Sequence, residues 1–386
     1  MDRVDPLAGR RGDFVVARPE RIYLDGNSLG MTPRRTVDAL RHVVEHEWAH
    51  DLIDAWWDDG WLELPLTVGD ELAPVIGARP GEVAVHDSTT VCLFQLVNVA
   101  LDLHPDPDPD PDRDRRVVAV SDTEFPTDRH VVDGIARLRR DVEVRRGLDD
   151  LDGVDVAVRS LVDYRTAELV AMADEEERAA EAGATIVWDL SHAAGVVAVD
   201  LTGDGAVLAA GCTYKFLNGG PGSPAFTYVR REIHEAATQP IWGWFGQDRQ
   251  FAMDRSFDPR AGAGRMLNGT PEVLGLTAAR SGISLTNEVG IDAITAKARS
   301  LSGYAIELAG RLGLPCPTRP WPATSGGHVS IVHPESKRLQ LELAERGVVV
   351  DERDPDVLRL GLSPLTTRFV DVHDALHHLA DLVSPS

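Results

Sequence analysis

The stretch GCTYKFLNGGPGSPAF (211–226) places a single lysine, Lys215, among small, aromatic and glycine residues. The nearest charged residues along the chain are Asp204 and Arg230. A lysine in such surroundings either packs its aliphatic stem on a neighbouring aromatic ring or serves as a nucleophilic amine that attacks a carbonyl in a dry pocket. The stretch leaves both interpretations open, so the rest of the chain has to decide between them.

The composition limits what the protein can bind. The chain has 386 residues and 43% apolar content, enough for one large core and a smaller second one. Its 39 basic and 62 acidic side chains give a net charge of -23, which disfavours nucleic acid and anionic membranes as partners. Cys92, Cys212 and Cys316 form no CxxC pair, and the N-terminus has no apolar signal core. We therefore expect a cytoplasmic protein without a metal site, a nucleic-acid partner or a membrane segment.

Short apolar runs alternate along the chain with segments of helical period. RRVVAVSD (115–122), DVAVRSLV (155–162) and GATIVWD (183–189) are predicted to be buried strands, and AELVAMADEEERAAEAG (167–183) a helix. This alternation predicts an α/β fold, in which a large domain has a mixed, mostly parallel sheet covered by helices.

Two further segments shape the predicted domain organisation. HPDPDPDPDRDR (104–115) predicts an exposed acidic connector, because each proline removes a backbone donor. One long helical run is expected from Glu272 to about Leu312, followed by the short strands of a smaller α+β domain. The predicted parts are an N-terminal segment that packs with the small domain (1–45), a large domain (46–274) and a small C-terminal domain (275–386).

Asp189 directly follows the predicted strand ATIVW. Ligands of open α/β folds bind beyond the carboxyl ends of the strands. A carboxylate at such a buried position needs a cationic partner, and a protonated heteroaromatic nitrogen would supply one. The alternative is that Asp189 or a following serine caps a helix over HAAGVV.

Three other features add to this edge of the predicted sheet. Thr89 and Thr90 open a predicted helix, where hydroxyls and free amides either hold a phosphate or cap the helix. Phe125, between a strand and a proline, either belongs to the core or stacks on a flat ring. The glycines after Lys215 allow a close backbone approach. An amine, a carboxylate, a phosphate cradle and a stacking ring are together what a pyridoxal 5′-phosphate enzyme of the aspartate aminotransferase fold needs.

Five motifs in chain order closely resemble the kynureninase family of bacterial type. They are YLDGNSLG (23–30), FPTD (125–128), WDLSHAAG (188–195), GCTYKFLNGGPGSPAF (211–226) and GWFG (243–246). The resemblance extends to VLRLGLSPLTTRFVDVHDALHHL (357–379) and so covers nearly the whole chain. It implies a fold type I enzyme that uses pyridoxal 5′-phosphate to hydrolyse L-kynurenine to anthranilate and L-alanine in tryptophan catabolism. It also implies a homodimer whose active sites lie at the subunit interface.

The resemblance further implies a role for each matching residue. Lys215 carries the cofactor and acts as base, Asp189 pairs with the cofactor's ring nitrogen, and Arg359 grips the substrate carboxylate. The chemistry of the reaction makes Tyr214 the candidate acid. The other implied cofactor contacts are Thr89, Thr90, Phe125, which stacks on the ring, Asp128, Ser160, His192 and Tyr214, with Trp244 and Thr270 from the neighbouring subunit. The other implied substrate contacts are Asn27, Ser28, Trp56 and Gly269.

Substrate preference depends on two short segments. Trp56 in DAWWDDGW and the glycine and threonine of NGTP (268–271) match the pattern of bacterial family members and favour kynurenine over 3-hydroxykynurenine. The alternative for Trp56 is packing in the core or at the dimer interface.

Three residues depart from the family pattern and leave other functions open. Gln247 stands where histidine is common, Thr366 where tyrosine is common, and Ala167 where glycine is usual. One alternative is another fold type I enzyme, such as a cysteine desulfurase or an aminotransferase relative. A desulfurase needs an accessible, mobile cysteine, for which Cys92 and Cys212 are poorly placed. The other alternative is a noncatalytic protein that binds the cofactor.

Overall fold

The computed structural model describes residues 1–104, 115–320 and 326–383, which form three β-sheets with helices packed around them. Apart from its end residues His104 and Arg115, the predicted acidic connector lies outside the described residues. The strands are β1 (Ile22–Tyr23), β2 (Val83–His86), β3 (Arg116–Val120), β4 (Val142–Arg146), β5 (Val156–Ser160), β6 (Thr185–Asp189), β7 (Leu208–Cys212), β8 (Ala225–Val229), β9 (His328–Val332), β10 (Val348–Val349), β11 (Asp351–Arg353) and β12 (Val357–Gly361). The helices are α1 (Arg34–His42), α2 (Ala55–Asp58), α3 (Leu64–Leu72), α4 (Thr89–Leu103), α5 (Pro126–Leu138), α6 (Met172–Ala182), α7 (Val273–Val289), α8 (Ile291–Arg311), α9 (Ser336–Glu345) and α10 (Phe369–Val383).

The central sheet has seven strands in the order β2-β8-β7-β6-β5-β3-β4. Strands β3 to β7 pair in parallel, whereas β8 is antiparallel to both of its neighbours. Side chains alternate between two cores, so Ile186 and Trp188 face one side and Val187 the other. The predicted mixed, mostly parallel sheet covered by helices is confirmed.

Two helix predictions were wrong in extent. The helix predicted from residue 167 begins only at Met172, because Val162 and Leu169 pair as an antiparallel bridge and keep the preceding backbone extended. The single run expected from Glu272 to about Leu312 is two helices, α7 and α8. Gly290, at a φ of 88°, adopts a conformation that a helix cannot continue through.

A second, antiparallel sheet in the order β11-β12-β9 carries the C-terminal part of the site. In this sheet Arg359 lies opposite Asp351 on one side and Ser330 on the other, while Gly361 lies opposite His328. Apolar side chains of α8, α9 and α10 pack against the strands to form a separate core. The predicted smaller α+β unit is therefore present.

The N-terminal segment is bound to this smaller unit at several points. Strand β1 pairs in parallel with β10. The Asp2 carboxylate accepts the backbone N–H groups of Phe369 and Val370 at the start of α10, and Asp5 forms a buried ion pair with Lys297 at 2.8 Å. The exact division into residues 1–45, 46–274 and 275–386 stays a prediction.

Among the described residues, every helix is too short or too polar to cross a membrane. No group of three or more histidine, cysteine, aspartate or glutamate side chains is arranged for a metal ion in this part of the chain.

Candidate active site

The carboxyl ends of the parallel strands bring the predicted site residues to one edge of the central sheet. Strand β5 ends at Ser160 and β6 at Asp189, and Phe125 follows β3. Lys215 comes three residues after the end of β7, on a turn that precedes β8. Because these strands are parallel, their carboxyl ends share an edge, where α/β folds place their ligands.

A cavity of about 360 Å³ opens at this edge of the sheet. Its walls include most of the residues predicted to hold the cofactor: Thr89, Thr90, Phe125, Asp128, Asp189, His192, Tyr214 and Lys215. The cavity is therefore a candidate cofactor site assembled from the loop after β3, the end of β6, the start of α4 and the Lys215 turn.

The Lys215 amine points into this cavity. Its side chain is buried, with Nζ 3.2 Å from Nε2 of His192. The same nitrogen lies 5.9 Å from the ring centroids of both Phe125 and Tyr214. The Lys215 amine is therefore buried rather than extended into solvent, and it is placed to react with a ligand in the cavity.

His192 lies between the lysine and the arginine of the site. Burial holds the pKa of His192 well below its usual range, and the charges of Lys215 and Arg359 lower it further. The imidazole is therefore neutral at physiological pH. Its Nε2 is 3.2 Å from Lys215 Nζ and 3.5 Å from Arg359 Nη1, so one ring nitrogen faces both cations as an acceptor.

Asp189 is a buried carboxylate at the tip of β6. Burial raises the pKa of Asp189, and the hydrogen bond from Ser191 and the charge of Lys215 partly offset that rise. Its Oδ1 accepts the backbone N–H of Ser191 at 2.7 Å. Residues 191–196 are turns, so the helix-cap alternative for Asp189 is wrong. A carboxylate in this environment suits a cationic ligand.

Asp128 lies deeper in the same wall and has an unused acceptor. Burial raises the pKa of Asp128 well above its usual range, and the charges of Asp189 and Glu124 raise it further. Ser160 donates to its Oδ2 at 3.4 Å, whereas Oδ1 has no hydrogen-bond partner among the described residues. Ser160 thus lies behind Asp128, on a neighbouring cavity, and does not line the cavity that holds Lys215.

The start of α4 forms the opposite end of the cavity. Thr89 and Thr90 occupy its first turn, whose backbone amides have no intrahelical partner. In the described structure the Ser88 side chain makes no capping hydrogen bond, which leaves these donors for an anion. With the Lys215 amine, the Asp189 carboxylate and the orphaned Oδ1 of Asp128, the residues present fit pyridoxal 5′-phosphate.

Arg359 and its partners form a cluster beyond His192. The Arg359 side chain is 1% exposed. Its Nε donates to Asp351 Oδ1 at 2.7 Å, its Nη2 bonds the same carboxylate, and its Nη1 donates to the Tyr164 carbonyl at 2.7 Å. Ser28 donates to Asp351 Oδ2 at 2.5 Å, and the Asn27 amide oxygen, oriented toward the guanidinium, accepts from Nη2 at 3.1 Å. The structure therefore brings Asn27, Ser28 and Arg359 together.

Besides Ser160 and the cluster of Asn27, Ser28 and Arg359, four predicted residues do not line the Lys215 cavity of the described chain. Trp56 packs on Trp61 and, together with Thr270, lines an apolar surface groove. Gly269 and Thr270 line a small cavity that shares Asp87 with the Lys215 cavity. Trp244 is 42% exposed. Trp244 and Thr270 are the two residues that were predicted to act on the neighbouring subunit's site.

Several residues of the site were missed from the sequence. Asp351 carried a usable signal, since two strands joined by a short turn predict a cross-strand partner for Arg359. Tyr164 contacts Arg359 through its carbonyl, and its ring packs edge-on against Phe125 at 5.2 Å. His328 is fully buried with its ring centroid 5.7 Å from that of His192, and burial lowers the pKa of His328 to about 3. Neither the contacts of Tyr164 nor the packing of His328 beside His192 leaves a signature in the sequence.

The residues that depart from the family pattern have local structural roles. The Gln247 side chain accepts the backbone N–H of Asp258 at 2.7 Å and so stabilises its own loop. Thr366 is buried, and its carbonyl accepts from Arg11. Ala167 has a φ of 64°, the left-handed conformation that glycine adopts without cost.

The fold is shared with solved structures of low sequence identity. A cysteine desulfurase from Thermococcus onnurineus superimposes with a TM-score of 0.80 at 19% identity, covering 97% of each chain. A mutant of C-DES with glycine covalently linked to its PLP cofactor superimposes with a TM-score of 0.81 at 15% identity, covering 96% of this chain and 99% of the other. The fold, together with the arrangement of amine, carboxylate and helix start, defines the class of fold type I pyridoxal 5′-phosphate enzymes.

Sequence relatives narrow this class. A kynureninase from Burkholderia pseudomallei is 39% identical over 398 residues, which cover 99% of this chain and 94% of the relative. A kynureninase from Deinococcus radiodurans is 40% identical over 396 residues, which cover 98% of this chain and 94% of the relative. The family model described as the kynureninase C-terminal domain matches residues 294–379. The chain belongs to the kynureninase family.

Proposed function

We propose that the protein hydrolyses the bond between Cβ and Cγ of L-kynurenine, giving anthranilate and L-alanine, as a step of tryptophan catabolism. The observation that carries this proposal is the placement of His192 Nε2 between Lys215 Nζ at 3.2 Å and Arg359 Nη1 at 3.5 Å in a chain of this family. A substrate amine reacting at the Lys215 end then has its α-carboxylate within reach of Arg359.

Different residues of the cavity would bind different parts of the cofactor. Thr89, Thr90 and the start of α4 would hold the phosphate, and Asp189 the protonated ring nitrogen. Phe125 would stack on the cofactor ring. The free Oδ1 of Asp128 would accept a hydrogen bond from the cofactor. When bound, pyridoxal 5′-phosphate supplies an electron sink conjugated to the substrate Cα.

The remaining chemistry is proton transfer and orientation by side chains of this chain. Lys215 would remove the proton from Cα, and the neutral His192 accepts from its amine and fixes its direction. Burial raises the pKa of Tyr214 well above its usual range, so its phenol keeps a proton at neutral pH. Tyr214 is then a suitable acid for protonating Cβ once water has added to the Cγ carbonyl and the Cβ–Cγ bond has broken to release anthranilate. Arg359 would orient the substrate through its carboxylate.

The desulfurase alternative has little support from the cysteines. Cys92 and Cys212 are buried, and burial raises the pKa of both thiols. Cys316 is partly buried, and burial raises its pKa as well. A desulfurase requires an accessible, reactive thiolate, which these thiols do not provide. Their unpaired state also supports the proposed cytoplasmic location, where disulfides are rare.

The proposal predicts that cofactor-loaded protein releases anthranilate from L-kynurenine. The fluorescence of anthranilate measures its release. Trp56 and Gly269 match the kynurenine-preferring pattern, so kcat/KM for 3-hydroxykynurenine should be lower by about 10-fold or more. A loaded protein that gives no product and no change of its visible absorption with kynurenine or common amino acids would support the noncatalytic alternative. A spectral change without anthranilate would instead indicate a fold type I enzyme with another substrate.

We also propose a homodimer in which each site takes Trp244 and Thr270 from the other subunit. The apolar groove beside Thr270 is lined by Trp48, which is exposed and which a second copy would cover. Trp57, Trp244 and Phe251 are also exposed, and the Phe251 ring packs against both tryptophans. A dimer of this kind would bring both predicted residues to the partner's phosphate end.

Hybrid dimers test this shared site. We expect Lys215→Ala and the double variant Trp244→Ala/Thr270→Ala each to lose most activity alone. Coexpressed with different tags, they should regain about a quarter of wild-type activity, since half of a random mixture of symmetric dimers is hybrid and each hybrid has one intact site. Activity of the mixture equal to the mean of the two parents would contradict a shared site.

A further inference from the structure

We propose that Asp351 is the positioning residue of the substrate-carboxylate site, holding one edge of the Arg359 guanidinium so that its other edge faces Lys215. This inference rests on the proposed function, because it assumes that Arg359 binds the substrate carboxylate. Asp351 belongs to none of the motifs that identified the site, and it contacts the predicted site residues Arg359 and Ser28.

Asp351 binds the side edge of the guanidinium in a two-point arrangement. Arg359 Nε donates to Oδ1 at 2.7 Å, and Nη2 bonds Oδ2 of the same carboxylate. Both residues are buried and lie directly opposite each other on β11 and β12, so the strand pairing itself sets their distance. Planar two-point pairs of this kind fix the orientation of an arginine as well as its position.

The end edge of the same guanidinium is held much more weakly. Nη2 also lies 3.1 Å from the Asn27 amide oxygen and 3.4 Å from Ser28 Oγ, and Nη1 lies 3.5 Å from His192 Nε2. The distances to Ser28 and His192 are near the outer limit of a hydrogen bond, whereas the bonds to Asp351 and to the Tyr164 carbonyl are short. A ligand carboxylate can replace the two long contacts without disturbing the short ones.

The direction of that end edge matches the chemistry of the site. His192 Nε2, which faces Arg359 Nη1, is also 3.2 Å from the Lys215 amine. A carboxylate on the end edge is therefore next to the place where the α-amine of a substrate reacts. A guanidinium rotated about its own axis would present a different edge and would misplace Cα relative to Lys215.

The charges around Asp351 suit a permanent anion. Burial alone would raise the pKa of Asp351, but the hydrogen bond and charge of Arg359 and the hydrogen bond of Ser28 hold it below its usual value. Arg353 adds a second cation at 3.0 Å from Oδ2. Because two arginines contact Asp351, its carboxylate stays ionised and keeps its hold on Arg359, although Asp25 is a second acid beside it, whose pKa burial and the charge of Asp351 raise to about 6.

The variant Asp351→Asn tests the proposal. We expect KM for L-kynurenine to rise about 10- to 100-fold, with kcat changed less than about 3-fold, because an amide of the same shape loses the charge-assisted grip on Arg359. The absorption of the loaded protein measures the affinity for L-alanine and for L-alaninamide. The two affinities should differ strongly in the wild type and much less in the variant. If Asp351 merely neutralised Arg359, the variant would bind carboxylates more tightly and KM would fall, which overturns the proposal.

A double variant separates positioning from a general loss of stability. In the Arg359→Lys background, Asp351→Asn should change KM by less than about 3-fold, because lysine has no fork to orient. Additive effects of the two substitutions would refute action through Arg359. Glu352→Gln, the next residue on β11, is the matched control and should leave KM unchanged.

Two further measurements keep the test decisive. If Asp351→Asn does not fold, Asp351→Glu retains the charge but displaces the guanidinium, and should raise KM about 10-fold with kcat retained; an unchanged KM would overturn the proposal. If the wild type releases no anthranilate, the proposed function fails. The affinities for L-alanine and L-alaninamide would still test whether Asp351 positions the carboxylate-binding Arg359.

Discussion

Replacing Lys215 with alanine is expected to lower kcat for L-kynurenine by about 10⁴-fold or more, because one side chain serves both as covalent carrier and as base. The amine is buried in the cavity, where His192 Nε2 at 3.2 Å fixes its direction. Within the described site, no second lysine lines this cavity to take over its role. Anthranilate fluorescence measures the loss, and circular dichroism checks that the variant is folded.

The sequence contains an internal control for this experiment, because its lysines are Lys215, Lys297 and Lys337. Lys297 is buried in an ion pair with Asp5, and Lys337 is exposed on α9. Borohydride reduction of the loaded protein, followed by peptide mass spectrometry, should therefore label Lys215 alone. Lys337→Ala should keep wild-type activity. A label on another lysine, or substantial turnover by Lys215→Ala, would contradict the assignment.

The sheet was predictable because buried parallel strands leave a strong local signal. Each predicted strand is a short apolar run between polar loops, and the runs ending at Val120, Ser160 and Asp189 form adjacent strands. Helix limits were less predictable, since they depend on contacts made elsewhere. The bridge between Val162 and Leu169 delays α6, although the sequence there has helical propensity.

The candidate site divides in the same way between local and nonlocal information. Lys215, Asp189 and Phe125 follow strand ends, so a sequence reading that locates the strands also locates these residues. Asp351 pairs with Arg359 across two neighbouring strands, which a hairpin prediction could have indicated, whereas the contact of Arg359 with the Tyr164 carbonyl is visible only in the packed structure. The roles predicted for Trp244 and Thr270 require a second subunit, which the fold of one chain does not supply.

Replacing Asp189 with asparagine is expected to lower kcat by about 10³-fold, since an amide cannot act as counter-ion to a protonated ring nitrogen in a buried site. The nearby Asp128→Asn is the matched comparison. Burial and the charges of Asp189 and Glu124 raise the pKa of Asp128 well above its usual range, which favours the neutral form of its carboxyl group. An amide is close in shape and charge to a neutral carboxyl group, and we expect kcat of this variant to fall by less than about 10-fold.

Measuring kcat at saturating cofactor, with the cofactor Kd determined separately for each variant, removes differences in loading from the comparison. Equal losses in the two variants would mean that both aspartates act as charges, and a larger loss for Asp128→Asn would reverse their roles. The expected order follows from position. Asp189 lies at the tip of β6, where its carboxylate accepts the Ser191 N–H and is stabilised by the positive charge of Lys215. Burial, together with the charges of Asp189 and Glu124, favours the neutral form of Asp128.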